Sequence, residues 1–166
     1  LLAVMAGMYA VYHGPKGLTY IANKVHQNTA LLAKSFKNAG LTLENELFFD
    51  TIRIKVDDAE KIREIALNHE VNFFYPDPTT VSISINETTT NNDLEQIISL
   101  ISKALNKTIT LETLPSSSLP ENLKRKSNFL SNSVFNSYHS ETELMRYIKR
   151  LERKDLLLSK TLPNLA

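Results

Sequence analysis

Residues 48–56 read Phe48-Phe49-Asp50-Thr51-Ile52-Arg53-Ile54-Lys55-Val56. Phe48, Ile52, Ile54 and Val56 alternate with Phe49, Thr51, Arg53 and Lys55, the two-residue period of a strand with one face in a core and the other in water. Just downstream, Asp57 or Asp58 is placed to cap a short helix whose inner face is Ala59, Ile62, Ile65 and Ala66. Val71–Tyr75 and Thr80–Ile85 are two further strands, expected to form a hairpin across Pro76-Asp77-Pro78, where fixed φ angles and Asx chemistry favour a turn. Thr90 to Leu105 then carries Leu94, Ile97, Ile98, Ile101 and Leu105 on one stripe, with Thr90 and Asp93 at capping-box spacing. The order from Phe48 to Leu105 is therefore β-α-β-β-α. It predicts an α+β fold: a three-stranded, mainly antiparallel sheet with helices on one face.

Upstream, Gly14-Pro15 breaks an apolar run, and Pro15 suits the first position of a new helix because its missing N–H has no intrahelical partner there. Leu18, Ile21, Ala22, Val25, Thr29, Leu32, Ala33 and Phe36 follow at helical spacing up to a stop at Gly40. Residues 1–13 are apolar nearly all round, as in a helix buried inside a larger body. The run Leu1–Tyr12 is too short for the roughly 20 residues a bilayer requires, and no basic region precedes it. Neither a membrane anchor nor a signal peptide is expected. Downstream, Leu114–Pro120 reads as a linker, Lys124-Arg125-Lys126 as a short basic run, and Tyr138–Asp155 as a helix start with Ser140 and Glu143 in capping-box spacing.

The 166 residues suffice for one domain, or a small domain with an arm. A formal charge of +1 supplies no global field toward nucleic acid or anionic lipid, so neither partner is expected. That balance hides a polarity: residues 1–105 hold 9 basic and 12 acidic side chains, residues 106–166 hold 10 and 6. The absence of cysteine removes thiolate metal sites, disulfides and a cysteine nucleophile, and suits a reducing compartment, with a bacterial cytoplasm as the expected location.

His13, His26, His69 and His139 form no His-x-x-x-His pair and no cluster at metal-ligand spacing, so no metal site is expected. The four glycines make no phosphate-binding loop. His139 has more company: in Tyr138-His139-Ser140-Glu141 an imidazole stands beside a hydroxyl and a carboxylate, the types used in acid–base chemistry. The same residues have a plainer reading, a helix N-cap with dipole-complementing carboxylates, and residue types alone favour it. On residue types alone the reading stops at an α+β domain with a basic arm and names no substrate; a stand-alone α+β interaction or small-ligand-binding module is the alternative function.

The literal strings add a resemblance. Met8-Tyr-Ala-Val-Tyr-His-Gly-Pro-Lys-Gly-Leu18, Ile21-Ala22, Val25-His26, Phe48-Phe-Asp-Thr-Ile52, Asn86-Glu-Thr88 and, above all, Val134-Phe-Asn-Ser-Tyr-His-Ser-Glu-Thr-Glu143 with Arg146-Tyr147 resemble the glycine cleavage system P-protein family. The resemblance implies a pyridoxal-phosphate-dependent decarboxylating glycine dehydrogenase with two related halves of aminotransferase-like fold, which passes an aminomethyl group to the lipoyl arm of the H-protein. Residues 1–13 then correspond to a remnant helix of a preceding large domain, 14–105 to a small C-terminal domain, and 106–166 to a linker and helical arm toward the second, cofactor-bearing half. Where such domains usually place a carboxylate-clamping arginine, this chain has Val81-Ser82-Ile83-Ser84, and no position matches the cofactor lysine. The expected role is therefore a non-catalytic, structural piece that binds no pyridoxal phosphate alone, its partners being the rest of the P-protein and, for the intact enzyme, the H-protein. Tyr138, His139, Ser140 and Glu141 are its candidate site, or its half–half interface.

Overall fold

The structure, a computed structural model, describes residues 1–113 and 119–154. It divides into two compact units, Ile21–Arg125 and a second made of Leu1–Tyr20 with the chain from Lys126 onward. The first helix, α1 (Leu2–Asn38), contributes to both and is interrupted at Gly14, whose φ of 60° and ψ of −177° lie outside any helix. As the sequence predicts, Pro15 opens the second helical segment.

In the unit Ile21–Arg125, the buried face of α1 is Val25, Thr29, Leu32, Ala33 and Phe36. Thr29 and Ser35 are tolerated inside because their hydroxyls donate to the carbonyls of Val25 (2.9 Å) and Leu31 (2.8 Å) one turn back. The helix ends in a paired cap: Leu41 N–H reaches Phe36 O at 2.9 Å and Gly40 N–H reaches Lys37 O at 3.0 Å, which requires the positive φ of 76° at Gly40. There follow β1 (Thr51–Lys55), α2 (Ala59–Leu67), β2 (Phe74–Asp77), β3 (Thr80–Ser84) and α3 (Asn91–Leu105). The sheet order is β1-β3-β2 with both pairings antiparallel, so the expected α+β architecture is found.

The register sets Ile52 opposite Ile83 and Ile54 opposite Val81. All four are fully buried, in one core with Leu32, Phe36, Ile62, Leu94 and Ile101. Each such side chain contributes about 1.5–3 kcal/mol by leaving water, which makes this cluster the chief source of the unit's stability. The helix caps are also as expected. Asp58 Oδ1 accepts from the N–H groups of Glu60 and Lys61 at the start of α2. Thr90 and Asp93 form the capping box of α3, with Thr90 N–H donating to Asp93 Oδ2 at 2.7 Å and Asp93 N–H to Thr90 Oγ1 at 3.3 Å.

Three boundaries differ from the sequence reading. β1 begins at Thr51, and Phe48 instead packs half-buried against the core. The hairpin strand is Phe74–Asp77 rather than Val71–Tyr75, so Pro76 and Asp77 belong to the strand and the turn falls at Pro78-Thr79. The cause is that β2 lies at the sheet edge, where a proline without N–H is tolerated, while Asp77 Oδ1 accepts from both the N–H and the hydroxyl of Thr79 at 2.8 Å and winds the turn one step later. β3 stops at Ser84, one residue before Ile85.

Beyond α3, Asn106 adopts the left-handed cap (φ 52°), and the chain runs back to α1. Glu112 N–H donates to Ser35 Oγ at 3.0 Å, and the Glu112 carboxylate accepts from Asn38 Nδ2 at 2.8 Å and pairs with Lys34 at 3.5 Å. Most of the expected linker, residues 114–118, lies outside the described residues.

In the other unit the first segment of α1 is helical as expected, but its apolar side chains face water. Leu1 is 94% exposed, Leu2 78%, Val4 61% and Met5 58%, whereas Val11 is buried. After a single 3₁₀ turn at Ser133–Asn136 comes α4 (Glu141–Glu152). The expected Ser140 cap is found, so of the expected range Tyr138–Asp155 the helix takes Glu141–Glu152, with Tyr138 and His139 ahead of it; Asp155 lies outside the described residues. Among the described residues no helix is long and apolar enough to cross a membrane.

Candidate functional site

The break at Gly14 organises the site. Carbonyls ahead of a helix break lose their intrahelical donors. The carbonyl of Tyr12 is taken by a residue from the far end of the chain, His139, whose Nδ1–H donates to it at 2.7 Å. The segment before α4 is pressed against the break so closely that a Cβ on Gly14 would stand 2.6 Å from the Phe135 carbonyl oxygen and 2.7 Å from His139 Cε1. Gly14 is thus required twice over, by its positive φ and by the lack of room.

The segment delivering His139 is held by its own polar groups. Asn136 Nδ2 donates to the carbonyls of Leu130 (3.0 Å) and Asn132 (3.1 Å), and Ser137 Oγ donates to Ser133 O at 2.6 Å. Next to the break, the His13 ring lies 4.2 Å from that of Tyr9 and 5.1 Å from that of Tyr12.

Of the four candidates, each has a distinct structural position. Tyr138 stacks on Tyr147 of α4, centroids 4.4 Å apart and planes 13° apart, and the Arg150 guanidinium lies 5.1 Å over Tyr138 and 5.9 Å over Tyr147. His139 is committed to Tyr12. Ser140 is the N-cap of α4: its Oγ accepts from Glu143 N–H at 3.3 Å and donates to Glu143 Oε2 at 3.0 Å. Glu141 adds an exposed carboxylate in the first turn, at the positive end of the helix dipole. His139 bonds the Tyr12 carbonyl and Ser140 bonds Glu143, so the contacts of the imidazole–hydroxyl–carboxylate run are those of a clamp and a helix cap.

Sequence reasoning missed Tyr12, Gly14, Tyr147 and Arg150 as neighbours of this site. The Gly-Pro pair signals the break itself; Tyr147 and Arg150, three apart on a helix, signal a shared face. The open groove beside this face, about 390 Å³, is lined by Tyr138, Glu143, Arg146, Lys149, Arg150 and Arg153 among others.

His26 and His69 also bond backbone carbonyls. His26, buried in the other unit, bonds the Phe49 carbonyl at 3.0 Å and stacks on the Phe49 ring, and His69 donates to Ile65 O at 2.8 Å. Among the described residues no group of three or more His, Cys, Asp or Glu side chains could hold a metal ion.

Comparison with known proteins places this geometry in context. The family model described as "Glycine cleavage system P-protein" matches residues 1–101. The glycine dehydrogenase (decarboxylating) of Flavobacterium johnsoniae is 55% identical over 167 residues, covering 99% of this chain and 18% of that protein. The protein of the same name from Christiangramia forsetii is 54% identical over 167 residues, and that from Bacteroides thetaiotaomicron 43% over 170, each again with 99% of this chain covered. The chain spans 18% of the length of these curated relatives.

Proposed function

Because this chain belongs to the glycine cleavage system P-protein family, we propose that it is a non-catalytic, structural piece of a glycine dehydrogenase (decarboxylating). In this reading residues 1–13 are the closing helix of a preceding large domain. Residues 14–105 are the small domain of an aminotransferase-like half, and 106–166 a linker and helical arm leading to a second, cofactor-bearing half. Tyr138, His139, Ser140 and Glu141 are the candidate site of that arm, or its half–half interface. The whole protein's reaction, decarboxylation of glycine with pyridoxal phosphate and transfer of the aminomethyl group to the lipoyl arm of the H-protein, is assigned to the remainder. The location is the bacterial cytoplasm.

The observation that carries this reading is the coverage: 99% of this chain aligns with 18% of a relative at 55% identity. The uncovered leucines, valine and methionine at the start of α1 support it, since an apolar stripe of that size is normally covered in the working assembly. The residues do not fit a pyridoxal phosphate site. A Schiff-base lysine is activated by desolvation or a neighbouring cation, whereas every lysine among the described residues is exposed except Lys24, which is half-buried and donates to the Glu87 carbonyl at 3.3 Å. At the small-domain strand, Ser84 Oγ bonds Thr51 Oγ1 at 2.9 Å, a neutral pair where a carboxylate clamp needs a cation.

The test is to add pyridoxal phosphate to the purified chain and follow the internal-aldimine absorption band, with borohydride trapping of any lysine adduct and a glycine–bicarbonate exchange assay. No band, no stoichiometric adduct and no exchange are expected. Stoichiometric trapping on one lysine would overturn the proposal.

A further inference from the structure

We propose that the groove beside α4 binds a carboxylate-rich peptide segment of a protein partner. Arg146, Lys149, Arg150 and Arg153 stand at i, i+3, i+4 and i+7, so they form one stripe along the helix, and all four line the groove. Neither Arg146 nor Arg150 has a carboxylate partner among the described residues. Arg150 is held over the stacked rings of Tyr138 and Tyr147, which fixes its plane and reduces the freedom it loses on binding. A planar guanidinium in a fixed orientation suits bidentate pairing with a carboxylate. Lys149 pairs with Glu152 across exposed surface, a contact that exchanges readily for another carboxylate.

A peptide fits better than a nucleic acid. From Arg146 to Arg153 the stripe extends only about 10 Å at 1.5 Å per residue. Glu143 stands in the groove wall and Glu141 lies in the same helix's first turn, where both repel a continuous phosphate backbone yet leave space for two or three discrete carboxylates. This inference stands apart from the family reading, because it uses only the groove and its charges.

The experiment titrates the full chain into fluorescein-labelled hexaglutamate and reads fluorescence anisotropy at low and moderate salt, with oligothymidylate as competitor. Saturable binding that weakens with salt is expected. Arg146→Glu should weaken it about tenfold, the loss of one charge-assisted pair. Arg150→Lys should cost a few-fold, and Lys61→Glu, on the exposed surface of α2, should change nothing. Arg146 makes no ion pair or ring contact among the described residues, so unchanged circular dichroism would confirm that its variant folds. The proposal is overturned by an absence of saturable binding, by Arg146→Glu binding as the parent does, or by oligothymidylate binding more tightly and displacing the peptide.

Discussion

His139 Nδ1–H donates to the Tyr12 carbonyl at 2.7 Å across 127 positions of sequence. One imidazole thereby fastens the approach to α4 to the break in α1. The bond forms at the negative end of the first helical segment, where a donor, charged or neutral, is favourably placed.

Gly14→Ala should be severe. It imposes a Cβ at φ 60°, ψ −177° and drives that atom to 2.6 Å from the Phe135 oxygen, a combination costing at least about 2 kcal/mol. Five of the six tyrosines, Tyr9, Tyr12, Tyr20, Tyr138 and Tyr147, lie in this unit. Near-ultraviolet circular dichroism during urea unfolding therefore reports it, and the midpoint should fall with little change at the isoleucine core of the other unit.

His139→Ala removes a single donor at an exposed position, so the expected loss is smaller, about 1 kcal/mol. Its clearer signature is local. Amide exchange should accelerate across residues 134–140 and leave Ile52, Ile54, Val81 and Ile83 protected, a pattern that a general loss of stability would not give.

Acid should loosen α3 at its first turn. The Asp93 carboxyl is held below its ordinary value of 3.8, first by the Thr90 backbone N–H and then by the Thr90 hydroxyl. A carboxylate with a depressed folded pKa contributes stability above its unfolded value and loses it as pH falls through the folded one. Thermal midpoints measured from pH 5 down to pH 2 should fall less steeply in Asp93→Asn than in the parent. Asp77, lowered chiefly by the Thr79 hydroxyl and then by its N–H, predicts the same sign for Asp77→Asn at the hairpin turn.

Local physics made much of the fold legible. The alternation around Ile52 and Ile54, the Asp58 cap and the Thr90/Asp93 box are each settled within four residues, and each stands as the sequence implies. Pro76 misled because its meaning depends on whether its strand is an edge, which is fixed by the β1-β3-β2 order and not by its neighbours. The same limit applies to the site. Gly14-Pro15 announces a break, and Ser140 a cap, but nothing near either residue says that the two meet through His139. Likewise Tyr138 and Tyr147 become a platform only because α4 begins at Glu141 and leaves Tyr138 ahead of it, free to stack on a ring two turns along.

The return of the chain at Glu112 has a mechanical consequence. Its N–H, through Ser35, and its carboxylate, through Asn38 and Lys34, are tied to the last two turns of α1. A pull on whatever follows is thus taken up by that helix, as a cable clamp spares the soldered joint behind it. The left-handed cap at Asn106 and the α3 packing it closes bear little of the load, so tugging by a tethered neighbour should peel the Glu112 contacts long before it disturbs the isoleucine core.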